Sequence, residues 1–274
     1  MRVGTVEQEG LATPVAAVEE GVYAALDVPP GTTVVDAIAA GVPLRPAADG
    51  ARFGARDLVA PLRPAKIVAI GLNYMDHVRE TGMDAPAVPL VFTKFTTSVI
   101  GDGEAIEIDP ALTGRVDWEV ELAVVVGRRM RRVPAAAALD HVFGYTVAND
   151  VSARDVQFAD GQWVRGKSLD TFCPLGPTIV TADEVADPQD IRLTTTVNGE
   201  LVQDSTTAEM VFGVAELLEF CSASFTLEPG DVVLTGTPWG CGEFMDPPRS
   251  LTPGDTVEVQ AAGIAHLRNP VVAR

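Results

Sequence analysis

The sequence predicts a mostly β fold with peripheral helices, a β-rich roll or sandwich of the α+β class. Short apolar segments bounded by turn residues recur along the chain, among them 66–71, 192–199, 231–236 and 256–260, which is typical of many short strands. Apolar residues at helical spacing are fewer and lie at 209–222, with an alanine-rich segment at 134–140. Because the strands do not alternate with helices, a doubly wound nucleotide-binding fold is disfavoured.

The order of the elements indicates a small unit followed by a larger one. Residues 1–62 carry short apolar segments separated by Gly and Pro and end in a Pro-marked passage, so we expect a small N-terminal β-rich unit. Residues 63–274 form the second predicted domain. Within it, Val197-Asn-Gly199 signals a hairpin, and the Pro- and Gly-rich segment 237–254 is expected to be a long loop.

Composition narrows the possible partners. A formal net charge of -18 over 274 residues argues against nucleic acid as a partner. An anionic substrate would therefore need local positive charge or a bound cation at its site. We expect a cytoplasmic protein, since the sequence has neither a signal core nor an apolar stretch of membrane-spanning length. The three scattered cysteines are expected to be buried free thiols.

Two glutamates precede a continuous apolar run in Asp117-Trp-Glu-Val-Glu121-Leu-Ala-Val-Val-Val-Gly127. In a strand, side chains two positions apart share a face, so Glu119 and Glu121 should lie together. Paired buried carboxylates need a compensating cation. The spacing alone also fits an ordinary solvated acidic face.

A third carboxylate, Asp150, follows a second strand-like run at 145–150. Three oxygen ligands indicate a hard divalent ion, Mg²⁺, Mn²⁺ or Ca²⁺, with open positions left for substrate. Zinc or copper has little support, because the three histidines lack metal-binding spacing.

Two further segments carry candidate catalytic groups. His77 and Glu80 are three residues apart on a predicted short helix capped by Asn73, a spacing that suits a water-activating pair and equally a surface ion pair. Lys167 lies in a Gly- and aromatic-containing segment that suits capture of an anion, or a solvated loop. Thr237 offers a hydroxyl in Thr235-Gly-Thr-Pro238, after an apolar strand.

Together these segments resemble the fumarylacetoacetate hydrolase family, in particular its short bacterial members, from about Lys66 to Val272. That subgroup includes 2-hydroxyhepta-2,4-diene-1,7-dioate isomerases, acylpyruvases and related decarboxylases. Six motifs carry the resemblance: Gly71-Leu-Asn-Tyr, Glu119-x-Glu121, Asn149-Asp150-x-Ser-Ala-Arg-Asp-x-Gln157, Gly166-Lys167-Ser, Thr235-Gly-Thr-Pro and Leu267-Arg-Asn-Pro.

The resemblance implies a mixed β-sandwich roll of the fumarylacetoacetate hydrolase C-terminal type, usually a homodimer. It implies metal-ligand, catalytic and substrate-contacting positions in this chain. The implied metal ligands are Glu119, Glu121 and Asp150; the implied catalytic residues are His77, Glu80 and Lys167; the implied substrate contacts are Gln157, Thr237 and Arg154.

The resemblance implies that several reactions share one intermediate, an enolate stabilised by the metal ion. A 2-oxo acid chelates Mg²⁺ or Mn²⁺, and the ion stabilises an enolate. Water attack then gives acylpyruvate-like hydrolysis, loss of CO₂ gives decarboxylation of oxaloacetate-like acids, and proton transfer gives isomerisation or tautomerisation. A non-catalytic protein that binds small acids is the alternative from another class.

The chain departs from the family pattern at two places. Cys241 stands where many relatives carry valine, in a loop that also brings Glu243 and Asp246 near the expected site. Leu169 replaces a common phenylalanine. These departures affect expected specificity and remove none of the proposed catalytic groups.

Overall fold

The first strands of the chain form a β-rich N-terminal segment. The computed structural model describes residues 1–8 and 10–274, and none of these forms a helix long and apolar enough to cross a membrane. The N-terminal elements are β1 (Arg2–Gln8), β2 (Leu11–Glu19), β3 (Val22–Ala25), α1 (Val34–Ala40), β4 (Arg52–Gly54) and β5 (Leu58–Val59).

The rest of the chain is also dominated by strands. Its first half contains β6 (Ile67–Gly71), α2 (Met75–Thr81), β7 (Leu90–Lys94), β8 (Val99–Ile100), β9 (Ile106–Ile108), β10 (Val116–Asp117), β11 (Val120–Val126), α3 (Ala135–Ala138), β12 (Val142–Asn149) and β13 (Ser152–Ala153). Its second half contains α4 (Arg154–Asp160), α5 (Val164–Lys167), β14 (Cys173–Thr181), β15 (Arg192–Val197), β16 (Glu200–Thr206), α6 (Val214–Ser224), β17 (Val232–Leu234), β18 (Thr256–Ala261) and β19 (Ala265–Ala273).

Two large mixed sheets organise these strands. A twelve-stranded sheet follows the order β4-β3-β2-β1-β14-β12-β11-β17-β6-β7, with β5 on β1 and β8 on β14, and a five-stranded sheet follows β16-β15-β18-β19-β9. The predicted mostly β fold with peripheral helices is confirmed. The N-terminal strands continue the large sheet, because β1 pairs with β14 in antiparallel register. The division into two domains near residue 62 stays a prediction.

Strand β11 joins the two hydrophobic cores. All seven of its residues are buried, and the side chains alternate: Leu122 and Val124 lie in the core shared with the five-stranded sheet, whereas Ala123 and Val125 lie in the core on the other face. Two-sided burial explains the continuous apolar run in the sequence. Glu121 belongs to the same alternating set as Ala123, so its carboxylate is carried into the interior.

The sequence located the hairpin correctly and placed one helix start too early. Asn198 (φ 53°) and Gly199 (φ 82°) form the turn between β15 and β16, as a type I′ hairpin requires. Helix α6 begins at Val214 instead of residue 209. The cause is a local cap, because the Glu216 carboxylate accepts a hydrogen bond from the Gly213 amide (2.8 Å).

Gly144 lies where β12 and β14 approach too closely for a side chain. A Cβ at Gly144 would lie 2.2 Å from the carbonyl oxygen of Val180. We expect Gly144→Ala to lower the free energy of unfolding by at least about 1 kcal/mol and up to about 3 kcal/mol, because the strand backbone must shift. Denaturant unfolding measures the change. Gly114→Ala is the control, since a Cβ there meets nothing within 4 Å; equal losses in the two variants would contradict the steric argument.

Candidate active site

The three predicted metal-binding carboxylates lie together in the folded chain. Glu119, Glu121 and Asp150 are buried, with one carboxylate oxygen of each within 4.8 Å of the others. Glu121 lies in β11, Glu119 immediately precedes it, and Asp150 immediately follows β12, which pairs with β11 antiparallel. Antiparallel pairing therefore brings the start of one strand beside the end of the next. Three hard oxygen donors of this kind suit a divalent cation such as Mg²⁺.

Side chains hold the backbone around Glu119 in place of a partner strand. The predicted strand over 117–127 is interrupted, since Trp118 and Glu119 lie between β10 and β11. Asp117 accepts a hydrogen bond from the Trp118 amide (2.8 Å), and Asn149 accepts one from the Glu119 amide (3.0 Å). These bonds satisfy amides that would otherwise be orphaned. They fix the Glu119 carboxylate beside that of Glu121.

Lys167 and Arg154 deliver positive charge to these carboxylates. The Lys167 ammonium bridges Glu119 (2.7 Å) and Asp150 (2.9 Å). The Arg154 guanidinium lies 2.7 Å from Glu119 and forms two bonds to Asp117, of 2.9 and 2.7 Å. These contacts place two buried cations beside the carboxylates, where an anionic substrate needs positive charge.

Lys94 and Asp117 are site residues that the sequence interpretation missed. The Lys94 side chain is 1% exposed and donates to Asp150 and to the carbonyl oxygen of Val151 (3.2 Å). Asp117 orients Arg154 and also accepts the Gly242 amide (2.7 Å). Lys94 ends an edge strand and resembles an ordinary surface lysine in the sequence. Asp117, two residues before Glu119, continues the alternating acidic pattern and could have been found from it.

The carboxylates differ in charge state because their neighbours differ. Burial opposes ionisation of Glu119, but the charges of Lys167 and Arg154 outweigh it and lower its pKa to about 2. For Glu121, burial and the neighbouring charges of Asp150 and Glu119 all raise the pKa well above its usual value. Burial alone would lower the pKa of Lys167. The charges of Asp150 and Glu119 outweigh burial, so the pKa is raised and the ammonium stays charged. Glu121 is therefore the carboxylate of the three that binds a proton most readily when no cation is bound.

His77 and Glu80 form a close pair on α2. His77 Nδ1 lies 2.7 Å from Glu80 Oε2, and Glu80 Oε1 accepts the Gly240 amide (2.8 Å). Helix α2 stops before Gly82, its C-cap, as predicted, but its N-cap is Tyr74 and not Asn73. Instead, the Asn73 amide spans to the carbonyl oxygens of Thr235 (2.8 Å) and Phe212 (3.1 Å). Asn73 therefore ties the start of α2 to the loop after β17.

Gln157 and Thr237 are buried beside the same site. Gln157 accepts a hydrogen bond from Arg154 (3.0 Å), and Thr237 accepts one from the side-chain amide of Gln203 (3.0 Å). Gln203 was not predicted from the sequence. Its oxygen also accepts the Val120 amide (3.0 Å), so it links Thr237 to the start of β11.

The structure shows the contacts and burial of the residues at which the chain departs from the family pattern. Glu243 forms an ion pair with Arg115, which offsets the charge it brings near the site. Asp246 is exposed. Leu169 packs against the main core. Cys241 is buried, and Cys173 and Cys221 are likewise buried free thiols, as expected.

One pocket gathers the polar groups against an apolar wall. Glu119, Glu121, Lys167 and His77 line it together with Arg154, Gln157 and Thr237. The apolar part of its lining comprises Ile70, Leu72, Met83, Leu90, Phe92, Phe158, Trp163 and Phe244. Such a pocket suits a small acid with a short carbon chain. Seven of the nine predicted site residues line the pocket. The other two contact residues of its wall, Asp150 through Lys167 and Glu80 through His77.

The family described as fumarylacetoacetate (FAA) hydrolase C-terminal matches residues 66–272 of this chain. The chain is 48% identical over 217 residues to the mitochondrial oxaloacetate tautomerase FAHD2B of Bos taurus, which covers 78% of this chain and 69% of that protein.

Solved structures share the whole fold. The fumarylacetoacetate hydrolase of psychrophilic Exiguobacterium antarcticum aligns with a TM-score of 0.90 at 39% identity, covering 100% of both chains. The 2-hydroxyhepta-2,4-diene-1,7-dioate isomerase of Mycobacterium marinum aligns with a TM-score of 0.81 at 37% identity, covering 100% of this chain and 99% of the other.

Proposed function

Because the chain belongs to the fumarylacetoacetate hydrolase family, we propose that it is a divalent-metal-dependent enzyme that acts on small 2-oxo acids through an enolate. The observation that carries the proposal is the buried cluster of Glu119, Glu121 and Asp150 beside Lys167, in one pocket with His77. Burying several carboxylates together is costly unless cations compensate their charge, so the cluster suits a bound cation.

The residues present fit a hard divalent ion. The donors are three carboxylates, and their mutual repulsion raises the pKa of Glu121, a cost that a dication relieves. Mg²⁺ or Mn²⁺ is the proposed cofactor, and Ca²⁺ also suits oxygen ligands. Once bound, such an ion supplies the positive charge that stabilises an enolate.

Lys167 and Arg154 are proposed to bind the substrate's anionic groups. In the structure they pair with Glu119 and Asp150. Neutralisation of those carboxylates by a dication would leave the ammonium and the guanidinium available for the substrate carboxylate and the developing oxyanion. Gln157 and Thr237 border the same space and are proposed to position the acid by hydrogen bonds.

The His77–Glu80 pair is proposed to move the proton. Glu80 accepts the hydrogen bond of His77 Nδ1, which assigns the proton to that nitrogen and leaves Nε2 as a base. Glu80 also stabilises the imidazolium that forms when Nε2 takes a proton. The Gly240 amide holds the second oxygen of Glu80. The pair can thus remove a proton next to the carbonyl group or activate water.

Three reactions can follow from one enolate, and two of them have support of their own. The similarity to an oxaloacetate tautomerase and to a dienedioate isomerase supports proton transfer on oxaloacetate-like acids as the primary activity. The oriented His77–Glu80 pair supports hydrolysis of acylpyruvate-like acids, in which the enolate is the leaving group. Decarboxylation uses the same enolate and needs no water. A homodimeric assembly stays a prediction.

Turnover by the Mg²⁺ and Mn²⁺ forms tests the proposal. Oxaloacetate, acetylpyruvate, fumarylpyruvate and a hydroxydienedioate would be supplied, and enol content and products followed with and without a chelator. Metal-dependent conversion of at least one acid is the expected result. Binding of these acids without turnover across the panel would favour a small-acid-binding protein.

We expect His77→Asn to lower tautomerisation and hydrolysis by about 100-fold, because general base catalysis contributes on that order. Decarboxylation of oxaloacetate should persist, since the cations remain. Mg²⁺ affinity, measured by calorimetry, should stay near that of the unmodified protein. Arg79→Gln on the same helix is the control, as its exposed pair with Glu209 lies outside the pocket. Parallel loss of all three reactions would contradict this division of roles.

A further inference from the structure

A second cluster of potential metal ligands combines a histidine, a glutamate and a cysteine. Ligand atoms of His77, Glu80 and Cys241 all lie within 4.8 Å of one another. His77 and Cys241 are buried and Glu80 is nearly so. Helix α2 supplies the first two residues and the loop after β17 supplies the third. The carboxylate site and this cluster therefore differ in both residues and chemistry.

The donor types of this cluster select a different class of ion. Imidazole nitrogen, thiolate sulfur and carboxylate oxygen are the ligands of zinc and of other borderline-soft metals, whereas Mg²⁺ takes oxygen. We propose that His77, Glu80 and Cys241 form a Zn²⁺ site whose occupancy withdraws the His77–Glu80 pair from catalysis. The second half of this proposal rests on the proposed function, and the metal site itself does not.

The geometry requires only small movements. Tetrahedral zinc places ligand atoms about 3.3–3.8 Å apart. From a spread within 4.8 Å, the cluster must contract by at most about 1.5 Å, while the 2.7 Å His77–Glu80 bond opens slightly. Cys241 loses little, because its sulfur has only long contacts, 3.9 Å to the Pro238 oxygen and 4.0 Å to the Gln203 amide. The Gly240 amide orients Glu80 from the residue next to Cys241, as supporting bonds do at metal sites.

The surrounding charge favours a dication and disfavours a bare thiolate. Burial, with the charges of Asp117 and Glu119, raises the pKa of Cys241 well above its usual value. The nearby cation Arg154 is held by Asp117 and Glu119. Zinc binding would release the thiol proton to the solvent, and ligation through His77 Nδ1 would shift the ring proton to Nε2. Two positive charges would then lie among these carboxylates.

Cobalt spectroscopy on the Mg²⁺-saturated protein tests the site without using turnover. Excess Mg²⁺ keeps the carboxylate site filled, and one equivalent of Co²⁺ is then added as the probe. A thiolate-to-cobalt charge-transfer band in the near ultraviolet is expected in the unmodified protein. The band should vanish in Cys241→Val and persist in Cys173→Ala and Cys221→Ala. Absence of the band, or its survival in Cys241→Val, would overturn the proposed site.

Zinc titration by calorimetry and turnover tests the consequence. Zn²⁺ affinity should fall at least about tenfold in Cys241→Val and in His77→Asn, by analogy with losses of supporting groups. Stoichiometric Zn²⁺ should inhibit the Mg²⁺-loaded unmodified enzyme at least about tenfold and leave Cys241→Val active. Equal inhibition of both would overturn the regulatory half, since zinc would then act at the carboxylates. A cobalt band in a protein without turnover would count against the proposed function alone.

Discussion

Replacement of Glu121 by glutamine is expected to stabilise the metal-free protein and to abolish its turnover. Burial of Glu121 and the negative charges of Asp150 and Glu119 raise its pKa well above the ordinary value of a glutamate. A carboxyl with a higher pKa in the folded than in the unfolded chain destabilises the fold above the unfolded value. Glutamine removes that cost at neutral pH, and its oxygen can still accept the Gly236 amide hydrogen bond (2.8 Å).

Turnover should fall at least about 1000-fold in Glu121→Gln, because the charge stabilisation supplied by a catalytic ion is worth several kcal/mol. Thermal unfolding with and without Mg²⁺ and the turnover assay measure the two effects. Asp150→Asn is the matched comparison. The Asp150→Asn substitution removes the buried negative charge that pairs with Lys94 and Lys167, so both the free energy of unfolding and turnover should fall. Unchanged Mg²⁺ affinity in Glu121→Gln would refute the assignment of this carboxylate as a ligand.

Replacement of Lys94 by methionine is expected to lower the free energy of unfolding by about 3–5 kcal/mol, the usual cost of breaking a buried pair by removing one partner. Methionine leaves the Asp150 carboxylate without one of its two cations and the Val151 carbonyl without its donor. Added Mg²⁺ should restore part of the loss, because it neutralises Asp150. Denaturant unfolding with and without Mg²⁺ measures both effects.

Arg192→Met provides the control for Lys94→Met. The Arg192–Asp204 pair has two bonds of 2.7 Å but is exposed, so its loss should cost less than about 1 kcal/mol. A Lys94→Met loss no larger than that of the control would mean that Lys94 contributes little to holding Asp150.

The features that could be predicted from the sequence are those that depend on residues close together in the chain. Glu119, Glu121 and Asp150 lie at strand ends, and the two-residue alternation places the glutamates together. The β15–β16 hairpin follows from Asn198-Gly199 alone. The antiparallel pairing of β11 with β12 brings Asp150 to the glutamates. Local patterns do not predict this contact; the resemblance to a family implied it.

The remaining part depends on contacts between distant segments. Lys94 is 56 residues from Asp150, and Gln203 is 83 residues from the Val120 amide it holds. The Asn73 side chain bonds to Phe212 and Thr235 and so cannot cap α2. The predicted start of α6 was too early, because the hydrogen bond between the Gly213 amide and the Glu216 carboxylate fixes its first turn. Periodicity cannot reveal such partners, since they are chosen by tertiary packing.

The pairing of β1 with β14 has a consequence for the residues before the family match. Strand β14 has β12 on one side and β1 on the other, and β14 begins at Cys173, close to Lys94 and Asp150. Without β1, its backbone amides and carbonyls would become an open template for another chain. The opening segment thus covers the β14 edge at Ile179 and Val180, one strand away from β12, whose end is followed directly by Asp150.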